Sequence, residues 1–153
     1  MTADELLAEH QAGLDEWRHD SVAALMRWAT AIGVDPQKML TDPAAGIAPA
    51  ERMLGQEDIE ALDDEDRGWV ISHLLAHVAA ILMQHKGGGW EVDDDPSSPT
   101  YTNYVIDADG TYYDPIRATI GYLKSPPGAR DLSAHIAETE ANPTGPATRP
   151  NDA

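Results

Sequence analysis

The groups in this 153-residue chain that could do chemistry are six histidines and 27 acidic side chains; there is no cysteine. His73 and His77 are four residues apart in an apolar stretch. On a helix that spacing puts both rings on one face about a turn apart, as zinc ligands require. Leu74-Leu75-Ala76 lies between them, so the glutamate that serves as general base in helical His-Glu-x-x-His sites has no counterpart. His85 lies eight residues beyond His77, or about 12 Å along a helix axis, too far to share a metal ion. A third zinc ligand would come from His10, His19, His135 or an acid on another element. The competing reading is a pair of partly buried, hydrogen-bonded helix histidines.

Two acidic runs, Asp93-Asp94-Asp95 and Asp107-Ala108-Asp109-Gly110, invite a calcium reading. Both lack the alternating third acid and distal glutamate of the twelve-residue loop, so a solvated loop and a hairpin turn are expected. Gly87-Gly88-Gly89 follows an apolar helix pattern and precedes a strand pattern, the reverse of a phosphate-binding loop; it reads as a helix stop. No Gly-x-Ser-x-Gly elbow is present. The aromatic residues are four Trp, five Tyr and no Phe. Tyr101, Tyr104, Tyr112 and Tyr113 flank one predicted hairpin beside the acidic loop. Exposed tyrosines there would make a recognition surface.

The elements that must position these groups follow from periodicity. Residues 4–32 repeat apolar side chains at three- and four-residue steps (Leu14, Trp17, Leu25, Trp28, Ile32) and predict one helix, or two divided at Asp20-Ser21, with Gly33 as the stop. Residues 33–50 hold three prolines and two glycines and read as a loop, with a turn of helix over 36–40 and a short helix over 51–61. Asp63-Asp64-Glu65-Asp66 opens the central helix, which ends at Lys86 and is expected to be the most buried. Strands are expected at 90–92, 101–106 and 111–113, with a turn at Asp107–Gly110. Asp114-Pro115 starts a helix to about Lys124, and Asp131 caps a last one over 132–140.

Acids outnumber Lys and Arg 27 to 10, a formal net charge of −17. The excess sits in the front of the chain: residues 1–67 carry −11 and residues 111–153 only −1. Such a chain lacks the clustered bases that phosphate backbones need, so no nucleic-acid partner is expected. Repulsion from anionic lipid heads argues against a membrane surface. The longest apolar run, 78–83, falls far short of a span. Met1-Thr2-Ala3-Asp4-Glu5 has neither a basic n-region nor an apolar h-region. With no cysteine to pair, a cytoplasmic location is expected.

Over 63–138 the ordered set Gly88-Gly89-Trp90, Asp94-Asp95-Pro96-Ser97-Ser98-Pro99, Tyr104-Val105, Asp114-Pro115 and Pro126-Pro127-Gly128 resembles an uncharacterised bacterial domain family common in actinobacteria. The resemblance implies an α+β layout and carries over no catalytic residue. The family's Gly-Glu pair in the helix is replaced here by Ala76-His77. A shorter stretch, Gly68-Trp69 to Leu75-Ala76-His77-Val78-Ala79, resembles metal-dependent thiol-transferase bundles of the DinB type, which implies a four-helix bundle with His77 as one of three metal ligands.

The expected architecture is α+β. A helical N-terminal half packs on a small antiparallel sheet of about three strands, followed by two short helices. This is one domain over 1–140 with a disordered tail over 141–153. The leading functional expectation is a non-enzymatic, acidic protein-interaction module, adaptor- or immunity-like. It would meet a basic protein partner through Asp93, Asp94, Asp95, Tyr101, Tyr104 and Tyr112, with no catalytic residue and no cofactor assigned. The alternatives are a metal-dependent hydrolase or transferase built on His73 and His77, for which zinc is the candidate metal, and a structural or regulatory homodimer without a small ligand.

Overall fold

The computed structural model describes residues 1–146. The front of the chain is helical. Helix α1 (Ala3–Ala12) begins with a reciprocal cap, Thr2 Oγ1 accepting from the Glu5 N–H while the Glu5 carboxylate accepts from the Thr2 N–H. Helix α2 (Leu14–Ile32) follows and stops at Gly33, whose φ of +79° closes the left-handed C-cap. The division between α1 and α2 falls at Gly13, not at the predicted Asp20-Ser21. Asp20 is exposed and makes no break, whereas Gly13 lets the Tyr104 hydroxyl approach and donate to the His10 carbonyl at the end of α1.

Residues 33–50 correct the loop expectation. They form α3 (Pro36–Thr41), a 3-10 turn (Pro43–Gly46) and the start of α4 (Ile47–Leu54). Each proline falls in a first turn, where its missing N–H is not needed: Pro36 and Pro43 at the starts of their elements, Pro49 as the third residue of α4. A second 3-10 turn (Ile59–Ala61) leads to α5 (Asp64–Lys86), capped by Asp63. Leu74, Val78, Ile81 and Leu82 of α5 are wholly buried. The helix packs against α2 on one side and α6 (Pro115–Lys124) on the other, with α7 (Leu132–Ala141) closing over α6.

The sheet is antiparallel, in the order β1 (Gly89–Val92), β2 (Tyr104–Ala108), β3 (Thr111–Tyr113) and a two-residue β4 (Gly145–Pro146). Trp90 faces Ile106 across β1 and β2, and Ile106 faces Tyr113 across β2 and β3. Asp109 and Gly110 both take positive φ (55° and 85°), the turn whose twist suits a two-residue hairpin. Strand β2 starts three residues later than the predicted 101. The carbonyl and N–H of Asp93 bond to Thr102 and Asn103 and force that stretch into a tight loop. The predicted tail begins at 141, yet Ala141 completes α7 and the Thr144 N–H donates to the Tyr112 carbonyl at 2.8 Å. The remainder of that predicted tail, 147–153, lies outside the described residues. Among the described residues no helix is long and apolar enough to cross a membrane.

Gly87-Gly88-Gly89 turns the chain from α5 into β1. Gly87 and Gly88 both have positive φ. A Cβ on Gly88 would collide with the Asp107 backbone carbonyl, whereas one on Gly87 would meet nothing within 4 Å. Gly87→Ala is therefore expected to cost about 1–3 kcal/mol from backbone strain alone. Gly88→Ala should cost more, because backbone cannot step aside. Denaturant melts of the two variants check this ranking; an equal loss would contradict it.

Candidate functional site

His77 and Trp28 come together in the core because α2 and α5 are the main helix pair. His77 is fully buried. Its Nδ1 accepts from the Trp28 indole N–H at 3.0 Å, and its Nε2–H donates to the Pro43 carbonyl at 2.7 Å. Gly46 lies against the same ring, where a Cβ would come within 2.9 Å. His73, one turn earlier, is also buried and carries the opposite tautomer. Its Nδ1–H donates to the Trp69 carbonyl at 2.7 Å, its Nε2 accepts from Arg27 Nε at 3.2 Å, and Trp69 stacks on the ring. Burial pushes both imidazoles below their ordinary range, and the nearby Arg27 charge adds to the effect at His73.

This geometry bears on the predicted metal pair. All four ring nitrogens of His73 and His77 already have protein partners. The other histidines go elsewhere: His10 to the Thr102 carbonyl, His85 to Glu140, His135 to Ser125, and His19 to the exposed surface. Among the described residues no three His, Asp or Glu side chains gather to hold a metal ion. The residues present do not fit zinc. Ser72 Oγ lies 3.1 Å from His73 Nδ1, but that nitrogen already carries the proton it gives to Trp69 and cannot act as the serine's base.

The predicted interaction residues separate in the same way. Asp93 is fully buried: its carboxylate accepts from the Thr100 hydroxyl at 2.6 Å and the Asp95 N–H at 3.0 Å, so it organises the loop and offers nothing to a partner. Tyr112 is 8% exposed and also belongs to the interior. Burial first, and then the carboxylates of Asp94, Asp107, Asp93 and Glu91, push the pKa of its hydroxyl up to about 12. Asp94 is exposed, and Asp95, Tyr101 and Tyr104 are half-buried.

What the structure does assemble is an aromatic cleft that spacing alone does not show. Tyr104 of β2 is stacked between His10 of α1 (4.7 Å) and Trp17 of α2 (4.2 Å), and Trp90 of β1 meets Trp17 edge-on at 5.3 Å. Arg18 holds α2 to β1 with two hydrogen bonds to the Trp90 carbonyl and one to the Glu91 carboxylate. Thr102, at a φ of +75°, turns its carbonyl to the His10 ring. For a β-branched residue that conformation is strained. These rings, with Asn103 and Asp114, line a cleft of about 270 Å³. Asp114 caps α6 through the Ile116 N–H, and burial pushes its carboxyl up, opposed by that hydrogen bond and by Arg117. The larger hollow, about 430 Å³ between Ile59, Ile71 and Ile120, is mainly apolar; the guanidinium at its edge, Arg67, is spent on the carbonyls of Ile59, Glu60 and Leu62. Among the described residues the buried Trp17 and Trp90 indole N–H groups have no acceptor, an arrangement that native interiors seldom keep.

No protein-family model, no curated protein and no solved structure matches this chain.

A group whose folded pKa is depressed contributes stability that is complete above its unfolded value and is lost as pH falls through the folded one. For His73 and His77 the loss begins below about pH 6.5, the ordinary imidazole value. The melting temperature should therefore be level from neutral pH down to that point and then drop. His77→Gln, which cannot titrate, should lower stability at neutral pH and flatten the drop. An unchanged slope in thermal melts across this range would contradict the assignment of His77 as a buried neutral ring.

Proposed function

We propose that this chain is a non-enzymatic, acidic protein-interaction module, adaptor- or immunity-like in kind, that works in the cytoplasm and binds a basic protein partner. One observation carries the reading. Carboxylates from separate segments converge on two half-buried tyrosines. Tyr101 donates to Asp4 and lies in the field of Asp94; after partial burial, these charges push its hydroxyl up. Tyr104 is pushed up in the same way, first by burial and then by Glu9 and Glu16. Helix α1, the start of α2 and the loop after β1 thus form one negative face with aromatic anchors. A negative field of this kind steers a positive partner to it, and tyrosines supply contact area at small entropic cost.

The test compares two variants of equal net charge. Glu9→Lys with Asp94→Lys reverses charge on the face. Asp42→Lys with Asp58→Lys makes the same change beyond the other end of α2, at exposed positions. An arginine-rich peptide should bind the wild-type chain and the second variant. It should lose affinity for the first, and for all of them near 1 M salt, where the screening length is about 3 Å. Equal binding by both variants, or no binding at low salt, would overturn the reading.

A further inference from the structure

We infer that the cleft between Tyr104, Trp17, Trp90 and Asp114 is the receiving site for a single arginine side chain of the basic partner. This rests on the interaction reading above and names the group that the face recognises. Asp114 is the charged group of the cleft. Its carboxylate is half-buried on the cleft wall, and one oxygen accepts from the Ile116 N–H. Among the described residues no cation is hydrogen-bonded to it: Arg117 attracts it from a distance but donates to Glu138 at 2.9 Å. Removing a carboxylate from water without a counter-ion is costly, and a cation brought in from outside removes that cost.

Three further features select the shape of the cation. The lining includes Trp17, Trp90 and Tyr104, and a guanidinium, planar and more weakly hydrated than an ammonium, is the protein cation that tolerates an aromatic lining while forking onto a carboxylate. Asn103 sits at the exposed rim with a side-chain amide that makes no hydrogen bond among the described residues, so its carbonyl oxygen is free to take a second guanidinium N–H. The volume of about 270 Å³ lies below the range of about 300–1,000 Å³ that holds drug-sized ligands, and suits one side-chain head. The cleft also shares Tyr104 with the negative face, so a chain lying across Glu9 and Glu16 would reach it with one side chain.

The experiment uses small probes on the full chain. N-acetyl-arginine amide is titrated against the tryptophan fluorescence, with N-acetyl-citrulline amide as its neutral isostere and N-acetyl-lysine amide as the cation without a fork. Arginine should bind saturably, at least ~10-fold tighter than citrulline, the ratio expected when a hydrogen bond to a charged group is lost, and tighter than lysine. Asp114→Asn keeps a capping side chain and should retain the melting temperature while abolishing the preference for arginine over citrulline. Wild-type protein that treats arginine and citrulline alike overturns the cleft assignment without any variant, as does an Asp114→Asn protein that keeps the preference. If the arginine-rich peptide still binds through Glu9 and Asp94 in that case, the interaction reading stands and the cleft alone falls. If neither probe binds, both fall.

Discussion

The buried imidazole of His77 is the interaction on which the rest of the molecule depends. It takes a hydrogen bond from Trp28 on α2 and gives one to Pro43 in the 3-10 turn, so one side chain fixes three segments against each other. In a low-dielectric interior each of these bonds is strong, and each partner left alone would be costly. The ring is satisfied only as a neutral tautomer with its proton on Nε2. Gly46 leaves room beside the ring, where a Cβ would come within 2.9 Å, and the Pro43 hydrogen bond ties the proline-rich segment after α2 to α5.

Fixing α2 on α5 has a consequence at the other end of α2. The helix has 19 residues, about 28 Å at 1.5 Å per residue, and behaves as a rod. Its first turns therefore carry Trp17 and Arg18 to a set place beside β1 and β2. Arg18 seizes the Trp90 carbonyl there, Trp17 stacks on Tyr104, and the Tyr104 hydroxyl donates to the His10 carbonyl near the end of α1. The cleft is thus a product of the core and not of a local motif. Its acid surroundings come from α1, α2 and the loop after β1, which carry much of the excess negative charge. A protein with this charge distribution pays in self-repulsion for a surface that attracts cations.

Much of the frame was legible in the sequence, because capping and stop signals are local. Asp63, Asp114-Pro115, Asp131 and Gly33 each mark a boundary where the structure has one, and the alternation around Asp109-Gly110 gives the hairpin. Between 36 and 54 the turn of helix expected over 36–40 is there as α3, but the 3-10 turn over 43–46 and the start of α4 at Ile47 were not legible. Pro43 and Pro49 read as breakers until first-turn positions are known, and position is a property of the folded chain. The site was less legible than the frame. The spacing of His73 and His77 is right for zinc, but spacing cannot show that Trp28, Pro43, Trp69 and Arg27 occupy their nitrogens. Composition could not reveal that Asp93 turns inward to hold Thr100. The cleft brings His10, Trp17, Trp90, Tyr104 and Asp114 together across about a hundred residues of chain, and no periodicity encodes that. The tyrosine-rich hairpin next to an acidic loop was the one available signal, and Tyr104 is where the two readings meet.

The most direct test asks what the helix histidines are doing, since the packing of α2, α5 and the 3-10 turn is built around His77. Long-range nitrogen-15 correlation spectra of the imidazole rings at neutral pH report the protonation of each nitrogen. The account predicts two neutral rings of opposite tautomer, His77 with its proton on Nε2 and His73 with its proton on Nδ1, both unchanged when zinc is added. A protonated ring, the reverse tautomer at His77, or shifts at both rings on adding zinc would contradict it and return the chemistry to the α5 histidines.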